Sequence, residues 1–299
     1  MMKRYKFCCI GHITLDKVVT QHQTVHMPGG TSYYVANAIR HLDDPDFLLV
    51  TAVGAPEMHV VDDLRSKGVE VTVFPSQYSV CFENIYEDNQ NNRRQNVLAK
   101  ADNFTIEQLS EIEADVYHLG VLLADDISLE TIQVLSCKGR VSVDSQGYLR
   151  EVRETQVHAI DWKDKRAAME HIHFLKANEH EMEVLTGFSD VYPAAKQLFD
   201  WGVKEVLITL GSEGSVLYDG TDFYRIPAYK PRAIVDATGC GDTYMAGYLY
   251  QRVNGLSMEQ AGHFAAALAT LKIENFGPAQ ATNEEVLQCM NSALSAGSI

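Results

Sequence analysis

Between Ile234 and Tyr250 the chain reads IVDATGCGDTYMAGYLY: a short apolar run that reads as a strand, a turn holding two glycines, and then an amphipathic helical pattern. Gly239 and Gly241 permit close backbone approach to a ligand. The amides of Gly239, Cys240 and Gly241 would converge at the positive end of the helix, a setting suited to a phosphate. Asp242 falls in the first helical turn. An acid there either complements the helix dipole, worth under about 1 kcal/mol, or stands beside an anion hole as a general base. In the second case it takes the proton of an alcohol whose oxygen attacks phosphorus. Upstream, Asn178 and Glu181 in KANEHEMEVLTG have the spacing of a helix capping box. TLGSEG, Thr209 to Gly214, is a glycine-rich turn after an apolar run.

The segment DATGCGD, Asp236 to Asp242, resembles the DTTGAGD signature of the PfkB, or ribokinase, family of carbohydrate kinases. Ala237 and Cys240 replace small residues by small ones. The resemblance implies that Asp242 is the catalytic base and that Ala237, Gly239, Cys240 and Gly241 form the anion hole. Asn178 and Glu181 match the family's NxxE element, which implies that they organise Mg2+, its waters and the nucleotide phosphates, with Glu181 acting through water. Thr209, Gly211 and Gly214 match the segment that contacts the phosphates and ribose of ATP. At the other end, Asp16 with Gly29 and Gly30 resembles the substrate-binding half, in which the aspartate binds acceptor hydroxyls. Tyr34 stands where the family usually has asparagine, four residues beyond the glycine pair, and is the matching candidate for substrate contact. Tyr33 and Tyr34 could equally be core residues of their helix. GGTSYYVANAIRHL, DSQGYLR (Asp144 to Arg150) and KIENFGPA near Lys272 look more like the branch that includes inositol and cytidine kinases. A monovalent cation and a homodimer built through the flap are also known in the family.

The elements that must position these residues alternate. Tyr5–Ile10, Phe47–Val53, Val116–Leu119, Val141–Val143, His171–Leu175 and Val206–Leu210 read as buried strands, and Tyr33–Leu42, Ile127–Leu135 and Tyr192–Trp201 as helices between them. Helical periods continue over Tyr244–Val253, Met258–Ile273 and Glu284–Leu294. This is βαβ alternation, hence an α/β fold with a mostly parallel sheet covered on both faces. The family resemblance makes it ribokinase-like, one domain over residues 1–299. Two stretches, 14–27 and 69–100, alternate polar and β-branched residues without helix signals and are expected to form a small β-sheet lid, the second as a hairpin with its turn at Glu87–Arg94.

Forty acidic against 25 basic residues give a formal charge of −15, and with no basic patch in the chain nucleic acid is excluded as a partner. No stretch approaches the ~20 apolar residues of a bilayer span, and no signal peptide is expected. The six cysteines lack C-x-x-C spacing, which points to a reducing cytoplasm. Adjacent Cys8 and Cys9 should face opposite sides of a strand as core residues. Neither GxxxxGK[ST] nor a strand followed by GxGxxG occurs, which disfavours P-loop and dinucleotide chemistry. The expected activity is transfer of a phosphoryl group from ATP to a hydroxyl of a small polyhydroxy acceptor. The alternative is a noncatalytic sensor of a sugar or nucleoside on the same scaffold.

Overall fold

A computed structural model of the chain describes residues 3–19, 24–43, 45–86 and 93–295. In chain order the strands are Arg4–Ile10 (β1), Thr14–Val19 (β2), Thr24–Gly29 (β3), Phe47–Val53 (β4), Val71–Pro75 (β5), Cys81–Tyr86 (β6), Arg93–Ala99 (β7), Glu113–Leu119 (β8), Arg140–Asp144 (β9), Arg150–Arg153 (β10), Gln156–Ala159 (β11), Phe174–Asn178 (β12), Glu205–Thr209 (β13), Ser215–Tyr218 (β14) and Phe223–Ile226 (β15). Nine of them form one sheet in the order β15-β14-β13-β12-β9-β8-β1-β4-β5. The seven strands from β13 to β5 run parallel, and β14 and β15 add an antiparallel edge. Helices bury both faces, as the runs of apolar residues in the central strands require. The two thiols of β1 divide between the faces: Cys9 packs with the helices Thr31–Ile39, Cys240–Val253 and Met258–Ile273, and Cys8 lies in the opposite layer.

From β1 the chain builds outward to β4 and β5, then returns to add β8, β9, β12 and β13 on the other side. Such a reversal opens a crevice beyond the carboxyl ends of the two central strands. Here those ends nearly touch: a Cβ on Gly11 would lie 2.5 Å from the carbonyl oxygen of Gly120, and one on Gly120 would lie 3.0 Å from the Thr31 methyl.

The other six strands form a second sheet, ordered β10-β11-β7-β6-β2-β3, with a small core of its own that includes Val80, Phe82, Val97 and Leu123. Its composition corrects the expected flap in two ways. Val71–Pro75 pairs in parallel with β4 and is the edge of the main sheet, and the hairpin of β10 and β11 joins the second sheet through β7. Residues 20–23 and 87–92, which include most of the expected hairpin turn, lie outside the described residues. Two other expectations shift. The strand placed at His171–Leu175 is Phe174–Asn178, displaced because the charged Lys176 interrupts its apolar run. Ile234 and Val235 form no strand: they are 77% and 54% exposed in a loop whose Val235 and Asp236 amides donate to the Ile273 carbonyl at 2.9 and 3.2 Å, closing the end of the helix Met258–Ile273.

Candidate active site

The helix Cys240–Val253 begins at Gly239, whose φ of 75° lies in the left-handed region. Two constraints impose glycine there, since a Cβ would also fall 2.2 Å from Cδ1 of Tyr34. The turn before it is tied down. Thr238 N–H donates to Asp236 Oδ1 at 2.9 Å, and Cys240 N–H donates to the Ala237 carbonyl at 3.2 Å. The Cys240 amide is therefore turned inward. Gly241 and Asp242, as early helix residues, are the amides that helix geometry leaves facing outward. Asp236 itself is clamped from below: buried Lys272 donates to its carbonyl at 2.7 Å and to Oδ2 at 3.0 Å, and Gly277 N–H reaches the same oxygen at 3.2 Å. Burial alone would raise the Asp236 pKa, but the Thr238 and Lys272 bonds hold it below the usual carboxylate range.

Asp242 keeps some solvent access within a ring of protein. Burial, reinforced by the Asp144 charge, raises its pKa to about 6, against the opposing pull of Lys176, a hydrogen bond from Thr31 and Arg150. Near neutral pH the group is mostly ionised yet basic enough to accept a proton, the poise expected of a general base. Thr31, which opens the helix after the Gly29-Gly30 pair, thus links the two ends of the chain at the reacting carboxylate.

Beneath it lies a buried ion pair. Lys176 Nζ sits 2.7 Å from Asp144 Oδ2, at the carboxyl ends of β12 and β9. A Cβ on Gly241 would lie 3.0 Å from Nζ, so the ammonium lies against the glycine turn. Burial disfavours the charged lysine, but Asp144 and Glu181 more than compensate and its pKa is raised. Asn178 caps the helix Glu179–Thr186 in a complete capping box: Glu181 N–H donates to Asn178 Oδ1 at 2.9 Å, and Asn178 N–H donates to Glu181 Oε2 at 2.8 Å. Asn178 Nδ2 also reaches Oε1 at 2.7 Å and Ser145 Oγ reaches Oε2 at 3.4 Å, so both oxygens of Glu181 are engaged. Burial and the neighbouring Asp144 still raise the Glu181 pKa, against the opposing charges of Lys176 and Arg150. Parallel pairing sets Thr209 directly beside Asn178, and the turn Gly211–Glu213 follows. Gly211 and Gly214 have φ of 54° and 93°, and a Cβ on Gly214 would meet the Ile226 carbonyl oxygen at 2.0 Å.

On the acceptor side, Gly30 has φ 87° and lies so close to the chain after β1 that a Cβ would fall 2.6 Å from the His12 carbonyl oxygen. A Cβ on Gly29 would come within 3.0 Å of Asp16 Oδ2, so the aspartate of β2 leans on the glycine pair of β3. The two tyrosines separate. Tyr33 packs in the main core, whereas Tyr34 lies against Gly239 in the field of Asp236, Asp242 and Asp16, with Lys272 Nζ 6.0 Å from its ring centre. Burial and those carboxylates keep its phenol protonated. Asp16, Tyr34, the DATGCGD turn and Asp242 are thus brought together, with Asn178, Glu181 and Thr209 on the neighbouring strand ends. Sequence reasoning missed Thr31, Asp144, Lys176 and Arg150 as members of this cluster. The one available signal was DSQGYLR, whose first and last residues are Asp144 and Arg150.

The profile of the pfkB family carbohydrate kinases matches residues 5–285. A cytidine kinase of Thermococcus kodakarensis is 27% identical over 282 residues, covering 90% of this chain and 96% of that protein. A nucleoside kinase of Methanocaldococcus jannaschii is 25% identical, covering 92% of each. Among solved structures, a pyrophosphate-dependent kinase of the ribokinase family, complexed with a pyrophosphate analog and myo-inositol, superposes with a TM-score of 0.82 at 26% identity, covering 94% of this chain and 99% of that one.

Proposed function

Since the chain belongs to the pfkB family of carbohydrate kinases and is a phosphotransferase, we propose that it transfers the terminal phosphoryl group of ATP to a hydroxyl of a small polyhydroxy acceptor, a nucleoside or an inositol-type polyol. The observation that carries this reading is Asp242, a carboxylate with its pKa near 6 placed at the amide-lined end of a helix. The acceptor oxygen attacks the terminal phosphorus as Asp242 takes its proton. The bond from phosphorus to the donor's bridging oxygen breaks, and its electron pair leaves with that oxygen. The outward amides of Gly241 and Asp242 hold the anionic oxygens, and the turn from Ala237 to Cys240, its Cys240 amide bonded to the Ala237 carbonyl, positions them. Asp16 and Tyr34 orient the acceptor, while Thr209, Gly211 and Gly214 flank the donor.

No group of three or more His, Cys, Asp or Glu side chains among the described residues could by itself hold a metal ion. Magnesium is usually held by one or two carboxylates with waters and substrate phosphates. Glu181, engaged at both oxygens by Asn178, would hold Mg2+ through water. The ion would neutralise phosphate charge. The second sheet serves as a lid that excludes water from the crevice. The six cysteines are free thiols, which supports a reducing cytoplasmic setting.

Pyrophosphate is a second possible donor, favoured by the 26% identical structures whose kinases depend on it. The test is a transfer assay with purified protein, MgCl2 and either ATP or pyrophosphate, against nucleosides, inositols, pentoses and hexoses. Phosphorylated acceptor is expected with at least one pair. Acceptor binding without consumption of either donor would overturn the reading in favour of a noncatalytic sensor.

A further inference from the structure

Lys272 stands in the last turn of the helix Met258–Ile273, where a basic side chain ordinarily reaches for solvent and complements the helix dipole. Here it is 1% exposed, and the helix end has other caps. The Leu271 carbonyl accepts Asn275 Nδ2 and the Lys272 carbonyl accepts the Asn275 N–H, both at 3.0 Å, while the Ile273 carbonyl takes the amides of Val235 and Asp236. The ammonium turns inward instead, donating to the Asp236 carbonyl at 2.7 Å and to Asp236 Oδ2 at 3.0 Å. The Tyr34 ring centre lies 6.0 Å from Nζ, and the Cys240 thiol lies 4.0 Å from the same Asp236 carbonyl oxygen.

Asp236 is thereby bonded at every polar atom. Its amide donates to Ile273, its carbonyl accepts Lys272, Oδ1 accepts the Thr238 N–H, and Oδ2 accepts both Lys272 and the Gly277 N–H. The Thr238 bond carries this anchorage into the turn that presents the Gly241 and Asp242 amides. Charge matters as much as position. An ionised Asp236 at the root of an anion-holding turn would repel a polyphosphate donor, and the adjacent ammonium offsets that field. A carbonyl and a carboxylate oxygen are also ligands that K+ accepts in exchange for its hydration shell. Both are already held by the chain's own cation, so the free monovalent cation that the family resemblance allows does not fit at Asp236.

Resting on the kinase reading above, we infer that Lys272 is a positioning residue that serves as a built-in monovalent cation: it holds and neutralises Asp236 beneath the anion-binding turn, and transfer therefore needs no free monovalent cation.

The test measures turnover of the wild type, Lys272→Ala and Lys272→Met with magnesium and the donor and acceptor found in the transfer assay. Every reagent is supplied as its tetramethylammonium or chloride salt, and tetramethylammonium chloride is compared with KCl, NH4Cl and methylammonium chloride at equal ionic strength. The wild type should turn over equally in all four. In tetramethylammonium, Lys272→Ala should lose about 100-fold in kcat, as for a displaced catalytic frame, with the acceptor KM within about threefold. K+, ammonium or methylammonium should restore much of that loss, because each can enter the space left beside the Asp236 oxygens. Lys272→Met fills the space without charge and should be neither active nor restored.

A wild type that requires K+ overturns the inference, as does a folded Lys272→Ala enzyme with near wild-type kcat in tetramethylammonium. A loss that no small cation relieves overturns it too, since it leaves Lys272 an ordinary structural role. If Lys272→Ala does not fold, the salt dependence of the wild type decides. A wild type that transfers from neither donor overturns the kinase reading alone. Melting of Lys272→Ala then decides the role of the ammonium: a higher melting temperature in KCl than in tetramethylammonium chloride supports it, and equal melting overturns it.

Discussion

Replacing Asp242 by asparagine should make the protein more stable and nearly inactive. In the unfolded chain the carboxyl titrates near 3.8, and in the folded protein near 6. Between these values the folded state binds the proton more readily, so this group favours folding more as pH falls from above 6 toward 3.8, and opposes it above 6. The separation corresponds to about 3 kcal/mol at full strength. Because the side chain keeps some solvent access, about 1–2 kcal/mol is a better expectation. Asparagine removes the ionised form and can still bond with Thr31. Melting followed by calorimetry or circular dichroism at pH 8 should therefore rise by a few degrees, with the gain shrinking toward pH 4. Turnover should fall about 100-fold to 10,000-fold, and the acid limb of the wild-type kcat/KM profile should lie near pH 6. An acid that only complements the helix dipole makes the opposite forecast, a loss under about 1 kcal/mol with near-normal kcat. A folded Asp242→Asn enzyme that melts lower at pH 8 and still turns over would refute the argument.

Lys176→Met should raise the acid limb of the pH profile and Asp144→Asn should lower it, since the lysine lowers and the aspartate raises the Asp242 pKa. Each single change strands a buried charge and should cost about 3–5 kcal/mol in urea unfolding, and the double variant much less; equal pH profiles in all variants would remove the pair from the site. Gly239→Ala should abolish turnover, since it combines φ 75° with a Cβ 2.2 Å from Tyr34, and Tyr34→Ala should not rescue it because the backbone strain remains; full activity in the double variant would show that only the ring mattered. At the far end of β13, burial would raise the Glu205 pKa, but bonds from His173, Arg252 and Tyr248 bring it to about 2. Its contribution, about 3 kcal/mol, is complete above pH 4.5 and is lost as pH falls through 2, so Glu205→Gln should flatten the acid limb of the stability curve.

The glycine turn and its aspartate could be read directly because their chemistry demands particular residues in consecutive positions: a left-handed Gly239, a close Gly241 and an acid in the first helical turn. Asn178 and Glu181 were legible for a related reason, as a capping box is local by construction. The ion pair under them was not. Lys176 and Asp144 lie 32 residues apart, and within their own strands each looks only like an interruption of an apolar run. Val71–Pro75 read as flap because an edge strand is partly exposed and therefore carries no continuous apolar signal. The hairpin beginning at Arg150 escaped for lack of contrast: REVR and QVHA are short, mostly polar and at most half-buried, and only pairing with β7 gives them a place.

The near contact of Gly11 with Gly120 bears on how this scaffold diversifies. At the bottom of the crevice two main chains meet, with a threonine methyl filling the remaining space, and no side chain can be added at Gly11 without parting the central strands. The base of the cavity is thus written in peptide groups, whose chemistry substitution cannot vary. Any change of acceptor must be composed in the walls, by Asp16, Tyr34 and the faces of the second sheet. A library confined to those positions would explore new substrates on an unchanged foundation, whereas one that randomised Gly11 would force its main chain apart from Gly120 in every member.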